Sequence, residues 1–172
     1  MPIEIRLADR ADVPGVEALA RKLLPDPRDE LDLGGLFDLP TALLELHILL
    51  IAADENDTVV GYAFFAPHFD DVLNIPDLRT AVLQHICVAA EHRNDQLATA
   101  LEQEGIALAR DAGYEQAVAT TTADGAGLLR ALGWDVRDQG ALAWPSPVAG
   151  HKFTLSDTSR PLAAKNLTRN VQ

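Results

Sequence analysis

The chain has 172 residues, 48% of them hydrophobic and 23% charged, which is ordinary for one globular domain with a real core. Its formal net charge of −12 repels DNA, RNA and anionic membranes and suits a cationic amine or a basic protein partner; the same acidity also simply keeps a protein soluble. The single cysteine, Cys87, excludes an internal disulfide and a cysteine zinc site, and its place in a strand-like run reads as a buried thiol.

The elements follow in chain order. Ile3, Ile5 and Leu7 alternate with Glu4 and Arg6, a strand pattern. Asp9 or Asp12 can cap the next helix, with Pro14 in its first turn and a stripe of Val13, Val16, Leu19, Ala20, Leu23 and Leu24; Pro25-Asp26-Pro27 stops it. Residues 28–40 read as an acidic loop, followed by a short helix over 41–46. Strands over 47–53 and 58–66 flank the turn Asp54-Glu55-Asn56-Asp57 and form an antiparallel hairpin, with Gly61 marking a bulge.

Residues 67–77 contain two prolines and read as a polar loop, before a strand over 82–88. A long amphipathic helix is expected over about 95–112, with Leu97, Leu101, Gly105, Leu108 and Ala112 on one face and Gly113 as its stop. A strand over 116–121, a helix over 123–132 ended by Gly133, and a strand from Trp134 come next. Residues 140–150 read mostly as loop, 151–155 as the last strand, and the chain from Ser156 as polar and frayed. The order describes a mixed α/β sheet in which the two later helices make parallel crossovers. The N-terminus lacks a secretion signal and the longest apolar run is too short to span a bilayer, so a cytoplasmic protein without membrane or nucleic-acid partners is expected. The sequon Asn166-Leu167-Thr168 then reads as chance.

The stretch Arg93-Asn94-Asp95-Gln96-Leu97-Ala98 follows a strand and opens the long helix, where backbone N–H groups can hold an anion. Four pieces in this order resemble the GNAT superfamily of acyl-CoA-dependent N-acyltransferases: the opening Ile3-Glu4-Ile5-Arg6-Leu7-Ala8-Asp9-Arg10-Ala11-Asp12, the strand Val59-Val60-Gly61-Tyr62-Ala63, the lead Ile86-Cys87-Val88-Ala89-Ala90-Glu91-His92-Arg93, and Leu128-Leu129-Arg130-Ala131-Leu132-Gly133-Trp134. The resemblance covers residues 1–157 as an acyltransferase domain, with 158–172 as a polar tail. It implies an α/β (α+β) fold with a mixed, largely antiparallel sheet of six to seven strands and about four helices.

It also implies acetyl-CoA as co-substrate, a small-molecule or protein primary amine as acceptor, and a cofactor site at Ile86, Val88, Arg93, Asn94, Gln96, Leu97, Ala98 and Thr99. Gln96 stands where the family's turn has an inner glycine; a side chain there leaves the backbone contact open if the residue keeps a helical φ. Asp95 raises a second reading, in which Asn94 or Asp95 caps an ordinary packing helix and no nucleotide binds.

Amine acylation needs a base for the amine, a donor for the developing oxyanion and a proton for the leaving thiolate. His85, on the strand leading to the turn, is the candidate catalytic base, and a hydrogen-bonded structural histidine is the other reading. The family's tyrosine acid is matched by Leu129, so either water protonates the thiolate or the domain is a non-catalytic module for acyl-CoA sensing or protein association. An asparagine seven residues before that tyrosine is matched by Thr122. His68, Asp70, Asp71, Glu30 and Asp32 sit in loops where they either draw a cationic acceptor or are solvated. Tyr62 and Tyr114 are further proton donors, Tyr114 reading rather as packing, and His47 and His151 read as strand residues with local partners. No metal spacing appears. The acceptor and the oligomeric state, a homodimer included, stay open.

Overall fold

The computed structural model describes residues 2–93 and 96–168. Nine strands and four α-helices are present among them: β1 Glu4–Leu7, α1 Val13–Leu23, α2 Thr41–Leu44, β2 Ile48–Ala53, β3 Val59–Asp70, β4 Ile75–Val88, α3 Leu97–Asp111, β5 Gln116–Thr120, α4 Ala123–Ala131, β6 Asp135–Arg137, β7 Gly140–Pro145, β8 Lys152–Asp157 and β9 Leu162–Asn166. Seven strands hydrogen-bond in the order β1-β2-β3-β4-β5-β9-β6, and β7 and β8 form a separate ribbon. The chain divides into two compact units, Met1–Phe65 with His85–Leu108, and Ala66–Gln84 with Ala109–Gln172.

In the first unit β1, β2 and the first half of β3 pair antiparallel. Every residue of β2 is buried, as its unbroken apolar run requires. Asp9 and Asp12 form a reciprocal capping box ahead of α1. Asp12 also takes a two-pronged grip from Arg6, at 2.7 and 3.0 Å, and this holds its carboxyl below the usual range. That pairing explains why Arg6 is half-buried on a strand whose pattern would turn it outward. The bulge lies at Val60, because Ala52 faces Gly61 while Ala53 faces Val59.

The buried face of α3 is turned from the expected one. Leu97, Leu101, Glu102, Gly105, Ile106 and Ala109 face inward, and Ala112 is exposed. At Gly105 an added Cβ would lie 2.3 Å from Cε2 of Phe65, a ring with no exposed surface. Gly105→Ala adds about 1 kcal/mol of helix propensity but overpacks this contact by about 1–3 kcal/mol. Gly105→Val, without that gain, is expected to lower the urea midpoint more than Gly105→Ala does; equal midpoints for both variants and the parent would refute the contact.

In the second unit β4 and β5 run parallel from Thr80↔Gln116 to Val82↔Val118, as a crossover requires. Three expectations are corrected here. The polar loop over 67–77 is strand on both sides of a tight turn, which Asp70 caps by accepting from Leu73 N at 2.7 Å. Pro67 and Pro76 are tolerated at half-buried and exposed positions of this arm. Residues 140–145, read as loop, form β7 and pair with β8.

Among the described residues after Ser156 the chain is not frayed: β9 inserts between β5 and β6, antiparallel to both, with Leu162, Ala163 and Leu167 buried. β9 thus lies within residues 158–172, the stretch expected as a polar tail. Val118 of β5, Leu142 of β7 and Leu162 of β9 pack together in the core of this unit.

Candidate active site

The site candidates in the first unit lie on β4, on the turn after it and on the first turn of α3. β4 ends at Val88, and Ala89 N donates to Val60 O at 2.8 Å, so the strand end is tied to the bulge of β3. Gly61 is needed beside this contact: a Cβ there would meet Cys87 O at 3.2 Å and Leu101 Cδ1 at 3.3 Å. Arg93 is exposed, and its Nε reaches Val88 O only at 3.5 Å, so the guanidinium keeps its charge at the surface of the turn. Asn94 and Asp95 lie outside the described residues, and with them the expected competition between Asp95 and a bound anion.

Gln96 carries φ +58, the left-handed conformation that glycine adopts freely. The condition named for a side chain at this position, a helical φ, is therefore not the one the chain meets. An L side chain in this region costs about 1–2 kcal/mol, which the surrounding fold supplies. Gln96 O accepts from Ala100 N at 3.0 Å, the first bond of the helix, and the Gln96 side chain is exposed. The N–H groups of Leu97, Ala98 and Thr99 consequently have no intrahelical acceptor. Leu97 anchors the turn in the core while Ala98 and Thr99 are half-buried. Such an entrance, with a positive helix end and a nearby guanidinium, attracts a phosphate group.

His85 and Cys87 project from one face of β4, and Ile86 and Val88 from the other. His85 is half-buried, and its Nδ1 lies 2.9 Å from the Tyr62 hydroxyl of β3. Tyr62 is fully buried, and burial, followed by Cys87 and Asp29, pushes its phenol well above the ordinary range. The Cys87 thiol is pushed up by burial too, in keeping with its reading as inert. Sequence reading proposed Tyr62 and His85 separately; only the register of β3 against β4 could have joined them.

The remaining candidates are structural. Leu129 is 1% exposed and packs in the core, and Thr122 caps α4 by accepting from Gly125 N at 3.1 Å. Tyr114 is buried, and burial raises its phenol. His68 and Asp70, expected in a solvated loop, are buried on β3: His68 Nε2 donates to Thr154 O at 3.1 Å, and Asp70 pairs with His151 at 2.9 Å. His47 Nδ1 bonds Leu43 O and its ring stacks on Phe64. Glu30 and Asp32 are both exposed, and Asp32 Oδ1 accepts from Gly34 N.

A group sequence reading missed is Asp77, buried on β4, which accepts from Thr80 Oγ1 and Trp144 Nε1, both at 2.7 Å. It lines a cavity of about 600 Å³ with Thr80, Gln116 and Trp144. That cavity lies at the N-terminal ends of the parallel strands, whereas ligands of open α/β sheets bind at the carboxyl ends. Among the described residues no cluster of histidine, cysteine and carboxylates can hold a metal, and no helix is long and apolar enough to cross a membrane.

A mixed sheet whose central strand β4 leads, through Arg93 and the left-handed Gln96, to the long helix α3 defines an α/β protein. Residues 16–134, more than half of the chain, match the acetyltransferase (GNAT) family, and the chain belongs to that family. No curated protein matches it in sequence. Among solved structures it is similar to a GNAT superfamily phosphinothricin acetyltransferase from Sinorhizobium meliloti in complex with AcCoA, at 17% identity over 96% of this chain and 89% of that one, with a TM-score of 0.68. The putative acetyltransferase yncA from Salmonella typhimurium, with its cofactor acetyl-CoA, is 20% identical over 99% and 96%, with a TM-score of 0.68. A putative GNAT acetyltransferase from Desulfovibrio desulfuricans is 18% identical over 97% and 100%, with a TM-score of 0.69. These likenesses are of fold.

Proposed function

We propose that the protein is an N-acetyltransferase that moves an acetyl group from acetyl-CoA to a primary amine. The observation that carries this reading is the left-handed Gln96, which keeps a glycine-like backbone at the helix entrance although the glycine is gone. Membership of the acetyltransferase family and the two similar structures that hold acetyl-CoA support the choice of co-substrate. In this reading the N–H groups of Gln96, Leu97, Ala98 and Thr99, with Arg93 and Asn94, hold the pyrophosphate, while the main chain of Ile86 and Val88 faces the acyl arm.

His85 takes the proton as the amine nitrogen bonds to the acetyl carbon; the C–S bond then breaks with its electron pair on sulfur, and water protonates the thiolate. A free alkylamine arrives as a cation and gives one proton to solvent, and the neutral nitrogen then attacks. A cavity of about 250 Å³ beside α1, lined by Glu17, Asp26, Asp29, Glu30 and one opposing arginine, Arg21, suits such an acceptor.

Leu129 favours a second reading, since it sits in the core where the family's tyrosine would supply a proton. A binding-only module follows if catalysis has been lost. Calorimetry with acetyl-CoA and a thiol-release assay over a panel of small amines and basic peptides separate the two. Micromolar binding with amine-dependent thiol release is expected; binding with no release across the panel selects the module, and absence of binding at millimolar acetyl-CoA overturns both.

A further inference from the structure

We infer that Tyr62, backed by Cys87, is a positioning residue that sets which ring nitrogen of His85 carries the proton. The inference rests on the reading of His85 as the base. Tyr62 has no solvent-exposed surface, so its hydroxyl must find partners within the protein. One is in place, His85 Nδ1 at 2.9 Å, and the Cys87 thiol, which projects beside His85 from the same face of β4, acts on the same hydroxyl.

The two neighbours allow two arrangements. If the Tyr62 O–H donates to Nδ1, the neutral ring carries its proton on Nε2, and that nitrogen cannot accept another. If the O–H turns to Cys87 Sγ, the Tyr62 oxygen accepts from Nδ1–H, and Nε2 holds the lone pair that a base needs. Only the second arrangement survives protonation, because an imidazolium donates from both nitrogens. When Nε2 takes a proton from the amine, Nδ1–H stays bonded to the Tyr62 oxygen and no proton crosses the chain; the phenol and the thiol both remain neutral.

Burial favours that neutrality for both groups, which keeps the relay from ionising in place of the imidazole. Asp29, from the turn after α1, acts on the Tyr62 phenol and the Cys87 thiol, and Arg93, from the turn before α3, acts on the thiol.

The test is ¹⁵N NMR of the histidine rings across pH, with His85 assigned by the signals lost in His85→Gln. The full chain is used and no acceptor is needed. Above its titration, His85 is expected to show a protonated Nδ1 and an unprotonated Nε2. Tyr62→Phe removes the acceptor that an imidazolium needs, and the midpoint is expected to fall by about one pH unit. Cys87→Ala retains the phenol but removes the partner of its O–H, and is expected to move the proton from Nδ1 to Nε2; it serves also where Tyr62→Phe unfolds.

A parent ring with its proton on Nε2, or a tautomer and midpoint unchanged in both variants, overturns the inference. Its failure is distinct from that of the base assignment. If His85→Gln leaves the acid limb of kcat/KM in place, the base is another group whatever the NMR shows. If the limb disappears in His85→Gln while Cys87→Ala and Tyr62→Phe leave ring and limb alone, His85 is the base and the relay is wrong.

Discussion

Ala98→Asp is expected to weaken coenzyme A binding by a factor of roughly five to a thousand while leaving the unfolding midpoint unchanged or slightly raised. The opposed signs follow from one cause. The first turn of α3 presents N–H groups without intrahelical acceptors and the positive end of the helix dipole. A carboxylate on Ala98 satisfies that end and stabilises the helix by about 0.3–1 kcal/mol. It also stands about 4 Å from the place where a diphosphate would lie. Two unit charges at that distance repel by about 1 kcal/mol in water and about 4 kcal/mol at an effective dielectric of 20, and each 1.4 kcal/mol is a decade of affinity.

Ala98 is half-buried, so an aspartate can be placed there without opening the core. Ala98→Asn adds the same bulk without charge and is expected to keep binding within a few-fold. Calorimetry with coenzyme A and urea unfolding of the three proteins decide the matter. An Asp variant that loses stability and affinity together would mean that α3 had been damaged; one that binds as well as the parent would mean that the pyrophosphate lies elsewhere.

The same turn shows how far the sequence could be read. The strand before it and the helix after it were legible, because Leu83 and Cys87 alternate inward and Leu97 and Leu101 recur at helical spacing. The conformation of Gln96 was not. A glutamine predicts a right-handed backbone, and here the chain carries the left-handed one instead. The resemblance to the family had already assigned this position to glycine, so the discrepancy between residue type and motif was the clue to the strained backbone.

Other misreadings have a common source. Pro67, Pro76, Gly140 and Pro145 are breakers by propensity, yet each lies in a strand. Proline is excluded from strands only where its missing N–H is needed by a neighbour. β9 was missed because Leu162-Ala163-Ala164-Lys165-Asn166 has weak strand propensity and its partners, β5 and β6, are remote in sequence. Small alanines suit its inserted position, since Ala163 is fully buried between two neighbours. His85 was legible as a candidate base, whereas its bond to Tyr62, 23 residues away, depends on strand register and on no local signal.

His85→Gln is expected to lower kcat/KM by about 10²–10⁴-fold with an acceptor that transfers measurably in the parent, and to leave coenzyme A affinity unchanged. Glutamine keeps the polar bulk on β4 and can still bond the Tyr62 hydroxyl, but it cannot take up a proton. The pH dependence carries the sign of the argument. A base works only when unprotonated, so parent activity rises with pH through the imidazole titration and then levels. In His85→Gln the limb is expected to vanish.

The acceptor must not supply a limb of its own in the same window. An alkylamine does, because only its unprotonated fraction reacts, and its titration lies several units higher. An aryl or hydrazine-type amine, unprotonated throughout the range, isolates the protein's contribution. Residual activity in the variant measures what placement of acyl group and amine achieves without a base. If the variant retains the parental rate and limb, proton removal falls to solvent or to another group, and His85 becomes a structural partner of Tyr62.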